Sequence, residues 1–195
     1  MAVMSIDRVP DWAFPPEDGF TAADLDRLPD LPPHSELIDG SLVLVSPQAA
    51  FHSIVLDILV SALRRATPPD LRVRREMTVT LDRKQRPEPD LVVVHADALL
   101  GLGQTTFMRG DVVLAVEVVS PESRTRDHER KPTLYAEAGI DHFWLVENEN
   151  GKPILHTYRL DPIKPEYEKT GTYQGAFKLD SPYSIEIDFG EIDRM

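Results

Sequence analysis

The sequence predicts an α/β fold, a sandwich with a central mixed β-sheet flanked by helices. Three observations predict it. An amphipathic stretch stops at Pro68-Pro69, two runs are almost continuously apolar and β-branched, and a second helix-like segment closes at Gly139 just before another apolar run.

The first 39 residues carry nine acids against two bases, with prolines at 10, 15, 16, 29, 32 and 33. This composition predicts a leader of short turns with one brief helix near Thr21 to Arg27, where Thr21 could cap and Asp24 follows three residues on. Glu36 to Val45 places apolar residues around Asp39-Gly40, the pattern of a small hairpin with a tight turn. Phe51 to Ala66 puts Phe51, Ile54, Val55, Ile58, Leu59, Ala62 and Leu63 on one helical face. Leu71 to Leu81 alternates apolar and polar, as a half-buried strand does. Asp90 to His95 and Asp111 to Val119 read as central strands covered on both faces. Arg124 to Ala138 reads as a helix ended by Gly139, and Phe143 to Val146 as a further buried strand. Beyond Glu147 the chain turns acidic again, with turn formers at Asn150-Gly151, Asp161-Pro162 and Lys164-Pro165.

Composition narrows the chemistry. The chain has 195 residues, 42% hydrophobic and 28% charged, enough to fold as one domain with short appendages. No apolar run is long enough to cross a bilayer and no charged-then-apolar leader opens the chain, so a soluble cytoplasmic protein is expected. The absence of cysteine excludes disulfides, thiolate zinc sites and cysteine nucleophiles, leaving carboxylate, imidazole, hydroxyl and lysine chemistry. A net charge of −12 speaks against a general nucleic-acid binder. Only Arg64 to Arg86 reverses the sign, with eight bases against three acids; the plainer alternative is a solvated helix end and a polar hairpin.

Glu117 stands inside an apolar strand, where an unpaired carboxylate costs several kcal/mol, about enough to require a cation, a proton or a hydrogen-bonded partner. Asp90 opens the neighbouring buried strand. Two carboxylates converging there would suit a hard divalent ion such as Mg²⁺; the alternative is that Asp90 caps a turn and Glu117 pairs with an arginine. Lys131, on the following helix, could reach the pair and steady negative charge on a phosphate; otherwise it is a solvated helix lysine. Ser46, Ser120 and Ser123 lie in no Gly-x-Ser-x-Gly elbow, which rejects a serine hydrolase.

Glu36-Leu-Ile-Asp-Gly40, Ser46-Pro47, His52, Pro89-Asp90, Glu117-Val-Val-Ser-Pro121, Asp127, Lys131, Tyr135-Ala-Glu-Ala-Gly139 and Phe143-Trp144 together resemble the Uma2 family of restriction-endonuclease-like proteins, within the PD-(D/E)XK nuclease superfamily. The resemblance divides the chain into an acidic Pro-rich leader over residues 1–35 and a nuclease-like domain over 36–195. It implies a restriction-endonuclease-like sandwich fold and Mg²⁺-dependent phosphodiester hydrolysis, with Mn²⁺ as a substitute, on nucleic acid and in the first instance DNA. Asp90 is then the Pro-Asp element and Glu117 the acid of the Glu-x-Lys element, the metal being held by Asp90, Glu117 and the carbonyl of Val118. Val119 occupies the position where the superfamily expects lysine, and Lys131 takes that role by similarity. Pro132 directly after it could kink the helix and redirect it.

Glu36 could be a further ligand and His52 a proton carrier or supporting hydrogen-bond partner, although a structural role suits each equally. Asp127 would pair with Lys131 four residues on, and Tyr135 and Trp144 would be core residues. Arg74, Arg75, Arg86, Arg124 and Arg126 are the candidate nucleic-acid contacts, and a nuclease cutting both strands would gain from a homodimer. The other reading is a catalytically silent member using the same scaffold for protein association.

Overall fold

The computed structural model describes residues 14–45 and 47–194; Ser46 and the first thirteen residues of the expected leader lie outside the described residues. Ser35–Ile38 (β1) and Ser41–Leu44 (β2) form the first hairpin, with Ile38 opposite Ser41. Its two turn residues, Asp39 and Gly40, have φ of 53° and 72°, as a two-residue turn matched to strand twist requires. Ala50–Ala66 (α1) follows, its apolar face buried from Val55 to Leu63.

The predicted strand over Leu71 to Leu81 is two strands, Leu71–Arg75 (β3) and Thr78–Thr80 (β4). Glu76 between them has φ of 50°, a left-handed conformation that breaks the pleat, and its N–H bonds the Asp90 carbonyl. The displaced β4 pairs in parallel with Thr106–Met108 (β6). Leu91–His95 (β5) and Val112–Val118 (β7) are the two buried central strands.

The segment expected to be one helix from Arg124 makes a wide π-type turn over Arg126–Arg130 and becomes α-helical only over Lys131–Glu137 (α2). Pro132 explains this. In a regular helix its ring would press on the carbonyl of residue 128, and opening the preceding turn relieves the clash. Near the start of α2 its missing N–H removes no intrahelical bond. Gly139, with φ of 80°, ends the helix.

Strands His142–Glu149 (β8), Lys152–Leu160 (β9) and Tyr167–Tyr173 (β10) complete a six-stranded sheet of order β10-β9-β8-β7-β5-β3, parallel only at β7–β8. The Asn150-Gly151 turn between β8 and β9 again has two positive φ values. Ala176–Leu179 (β11) and Ile185–Asp188 (β12) form a last hairpin. Of the expected leader, Thr21 to Arg27 is a run of turns held by Thr21 and Asp24, and Phe20 and Ala22 pack against Leu37.

The sheet separates two cores. Leu114, Val116 and Val118 face α1 and the β11–β12 hairpin, while Ala115 and Val119 face α2, β4 and β6. The period-two alternation therefore puts Glu117 on the α2 face, in line with Ala115 and Val119. Among the described residues, no helix is long and apolar enough to cross a membrane.

Candidate active site

The β7–α2–β8 crossover brings the sequence's separate acids together around one ammonium group. Lys131 Nζ lies 3.0 Å from Glu117 Oε2, 2.9 Å from Glu36 Oε1 and 3.5 Å from Asp127 Oδ1. All four side chains are at least 95% buried. The widened turn ahead of Pro132 is what lets Asp127 and Lys131 face the sheet together. Glu117 Oε1 accepts a hydrogen bond of 2.6 Å from the Tyr135 hydroxyl, and Glu36 Oε1 accepts one of 2.9 Å from the Glu88 N–H. Asp127 also accepts from Ser123 Oγ, while its other oxygen, the one facing Lys131, accepts no hydrogen bond among the described residues.

Asp90 joins this group from the end of β5. Its Oδ2 accepts a 2.6 Å hydrogen bond from the Val118 N–H, tying the first residue before β5 to the last of β7. His52, in the first turn of α1, brings Nε2 to 3.0 Å from Asp90 Oδ1. The angle lies outside hydrogen-bond geometry, so this buried nitrogen has no hydrogen-bond partner among the described residues.

Charge is the site's dominant property. Burial drives the Glu117 carboxyl well above its ordinary range; Asp127, Asp90 and Glu36 push the same way and Lys131 only partly opposes them. Burial likewise raises Asp127. For Lys131 burial alone would lower the pKa, but Glu117, Glu36, Asp127 and Asp90 outweigh it and hold the ammonium protonated well above its usual range. Burial and the neighbouring carboxylates hold Tyr135 as the neutral phenol, able to donate to Glu117.

These groups form the floor of a cleft of about 520 Å³, whose lining includes Val118, seven carboxylates and only two side-chain cations, Lys131 and Arg126. Hard oxygen donors and a surplus of negative charge match a divalent ion such as Mg²⁺, as does Asp127 Oδ1, which accepts no hydrogen bond among the described residues. Among the described residues, no three His, Asp or Glu side chains already converge as a metal shell.

The predicted arginines separate. Arg126 lines the cleft, and its Nε is buried without a partner. Arg124 lies 3.4 Å from Glu147 and Arg75 pairs with Asp57. Arg74 lines a different hollow, beside Arg64 and Arg72. Arg86 is not a nucleic-acid contact. It is 4% exposed and donates to the Ala22 carbonyl, Asp26 and Thr78, pinning the turns of residues 20–28 to β1 and β4. Arg86→Ala should therefore cost about 3 kcal/mol in urea unfolding by stranding those partners, while leaving retention of the folded protein on a DNA column unchanged.

His34 and Glu88 were not foreseen as site residues. His34 adopts φ of 58° and places Nδ1 2.5 Å from Glu88 Oε1 at the cleft mouth; that hydrogen bond raises the imidazole's pKa. Glu88 precedes the Pro89-Asp90 element by one residue, the single sequence signal that could have marked it.

A family model described as Uma2, putative restriction endonuclease, matches residues 22–190. No protein of curated function matches the chain. Among solved structures, a putative nuclease of the DUF820 group from Anabaena variabilis matches with a TM-score of 0.70 at 17% identity, over 89% of this chain and 97% of that one. At that identity the likeness concerns the fold.

Proposed function

Since the chain belongs to the Uma2 family of putative restriction endonucleases, we propose that it is a metal-dependent endonuclease that hydrolyses phosphodiester bonds of nucleic acid, DNA in the first instance. The observation that carries this reading is the buried ammonium of Lys131 held among Glu36, Glu117 and Asp127 beside Asp90. Four carboxylates around one lysine make a poor structural ion pair and a good cation site.

Asp90 and Glu117, with the carbonyl of Val118, would hold Mg²⁺ or Mn²⁺. The ion would polarise a phosphate oxygen and acidify a bound water. Lys131 is fixed by its three carboxylates with its charge permanently on, ready to orient the attacking water and to meet negative charge developing on the phosphate. Tyr135 holds the far oxygen of Glu117, so the carboxylate cannot rotate away. Arg126, the cleft cation without an acidic partner among the described residues, would receive the phosphate of the incoming strand.

The test is cleavage of supercoiled plasmid and labelled oligonucleotides with Mg²⁺ or Mn²⁺ at millimolar level, with a chelator control. Metal-dependent nicking supports the assignment; no cleavage of any substrate with either metal removes it, leaving the scaffold to an association role. Arg126→Ala should keep the fold, weaken DNA binding several-fold and reduce the dependence of log affinity on log salt by about one unit, as loss of a single phosphate contact does.

A further inference from the structure

We infer that this site takes an unpaired nucleic-acid strand, and not an intact duplex, with a base packed on the cleft mouth and its phosphate on Arg126. The inference rests on the nuclease reading for its chemistry, but its evidence is the shape and lining of the cleft. Duplex recognition buries about 1,000–2,500 Å² of strongly positive protein surface. The cleft's lining includes only Lys131 and Arg126 among lysines and arginines of the described residues; elsewhere Arg130 pairs with Asp39, Arg124 with Glu147 and Arg75 with Asp57, and Arg86 lies in the interior. The cleft offers one arginine without an acidic partner among the described residues, beside seven carboxylates, which suits one or two phosphates and repels a continuous double row.

The volume agrees. About 520 Å³ is the size of a small-ligand pocket and holds a nucleotide or two. Its lining includes the apolar side chains of Pro33, Leu44, Val45 and Pro47. Leu44 is 51% and Val45 36% exposed, although they end a strand whose partner, β1, is fully buried. The His34 ring belongs to the same lining, with Nδ1 fixed by Glu88. A base in a duplex hides its faces in the stack and could not use this wall. An unpaired base can, because every base has an apolar face that packs irrespective of sequence.

Full-length wild type and Leu44→Ser/Val45→Ser would be titrated, by fluorescence anisotropy with Mg²⁺ present, into labelled single-stranded DNA, RNA of the same sequence, a blunt duplex and a duplex with a four-nucleotide overhang. Circular dichroism would verify the variant's fold. The expected result is that single strands and the overhang bind at least about tenfold tighter than the blunt duplex, and that the substitutions remove most of that preference. The two single strands show whether the site distinguishes DNA from RNA. Equal or tighter binding of the blunt duplex, an unchanged preference in the variant, or no binding of any probe would each overturn the inference. The same samples run on a gel separate the two readings. Single-strand preference without cleavage removes the nuclease assignment alone, and equal cleavage of blunt duplex removes the substrate class alone.

Discussion

Replacing Lys131 by methionine is expected to abolish cleavage and to lower the stability of the fold by about 3–5 kcal/mol, equivalent to roughly 10 °C in Tm for a chain of this size. Both effects follow from one atom. Among the described residues Nζ is the only cation in contact with Glu36, Glu117 and Asp127, and all three are almost completely buried. Methionine fills the space of the lysine stem but leaves those carboxylates facing one another without a counter-charge. The loss should depend on pH, with a definite sign. Glu117 and Asp127 already have native pKa values raised above their unfolded ones. A raised carboxyl binds its proton more tightly in the folded state, so stability is gained as pH falls toward the ordinary carboxylate range and lost as pH rises. The deficit of Lys131→Met relative to wild type should therefore be greatest in alkaline buffer and shrink on acidification, readable by urea unfolding across that range. A deficit that does not change with pH would mean that these carboxylates are not ionised together around Lys131.

Glu117→Gln is expected to behave in the opposite way with respect to stability. Glutamine can present its oxygen to Lys131 and its amide to the Tyr135 oxygen, keeping both contacts, and Lys131 retains Glu36 and Asp127. Removing one negative charge from an overcharged cluster should leave stability within about 1 kcal/mol of wild type in metal-free buffer, or raise it. Cleavage should still fall by two to three orders of magnitude, about what the loss of one electrostatic element of a site costs. Unfolding curves in the presence of a chelator, paired with initial rates in Mg²⁺, check both halves. A variant as unstable as Lys131→Met would show that Glu117 is chiefly a structural partner of the lysine. The contrast between the two substitutions separates a side chain that neutralises the site from one kept there at the expense of stability.

Much of this site can be read in the sequence because its signals are violations of local pattern. A glutamate within Val112 to Val119 has to be partnered, and a strand period of two decides which helix supplies the partner. The lysine's reach was the doubtful step, since Pro132 follows it. The proline widens the turn before α2 and leaves Lys131 and Asp127 facing Glu117, an outcome set by the packing of the turn and not by helical periodicity. Glu36 entered as a candidate ligand, and its contacts with the Glu88 N–H, 52 residues on, and with Lys131, farther still along the chain, depend on long-range pairing that no local pattern encodes. Arg86 shows the converse. It looked like part of a basic patch because charge is read along the chain, yet the fold turns it inward to hold the Ala22 carbonyl and Asp26. The break at Glu76 and strand β10 were also invisible, the first because a left-handed residue interrupts an otherwise unbroken alternation, the second because β10 is mostly exposed and carries little apolar patterning.

That the surplus of negative charge beside Lys131 is there to hold a divalent cation is tested most directly by calorimetric titration of Mg²⁺ into wild type and into Asp90→Asn/Glu117→Gln. Saturable binding by wild type that disappears in the double variant, with the fold intact by circular dichroism, is the predicted result. No saturable heat with wild type at millimolar Mg²⁺ or Mn²⁺, or the same heat with the double variant, would contradict it.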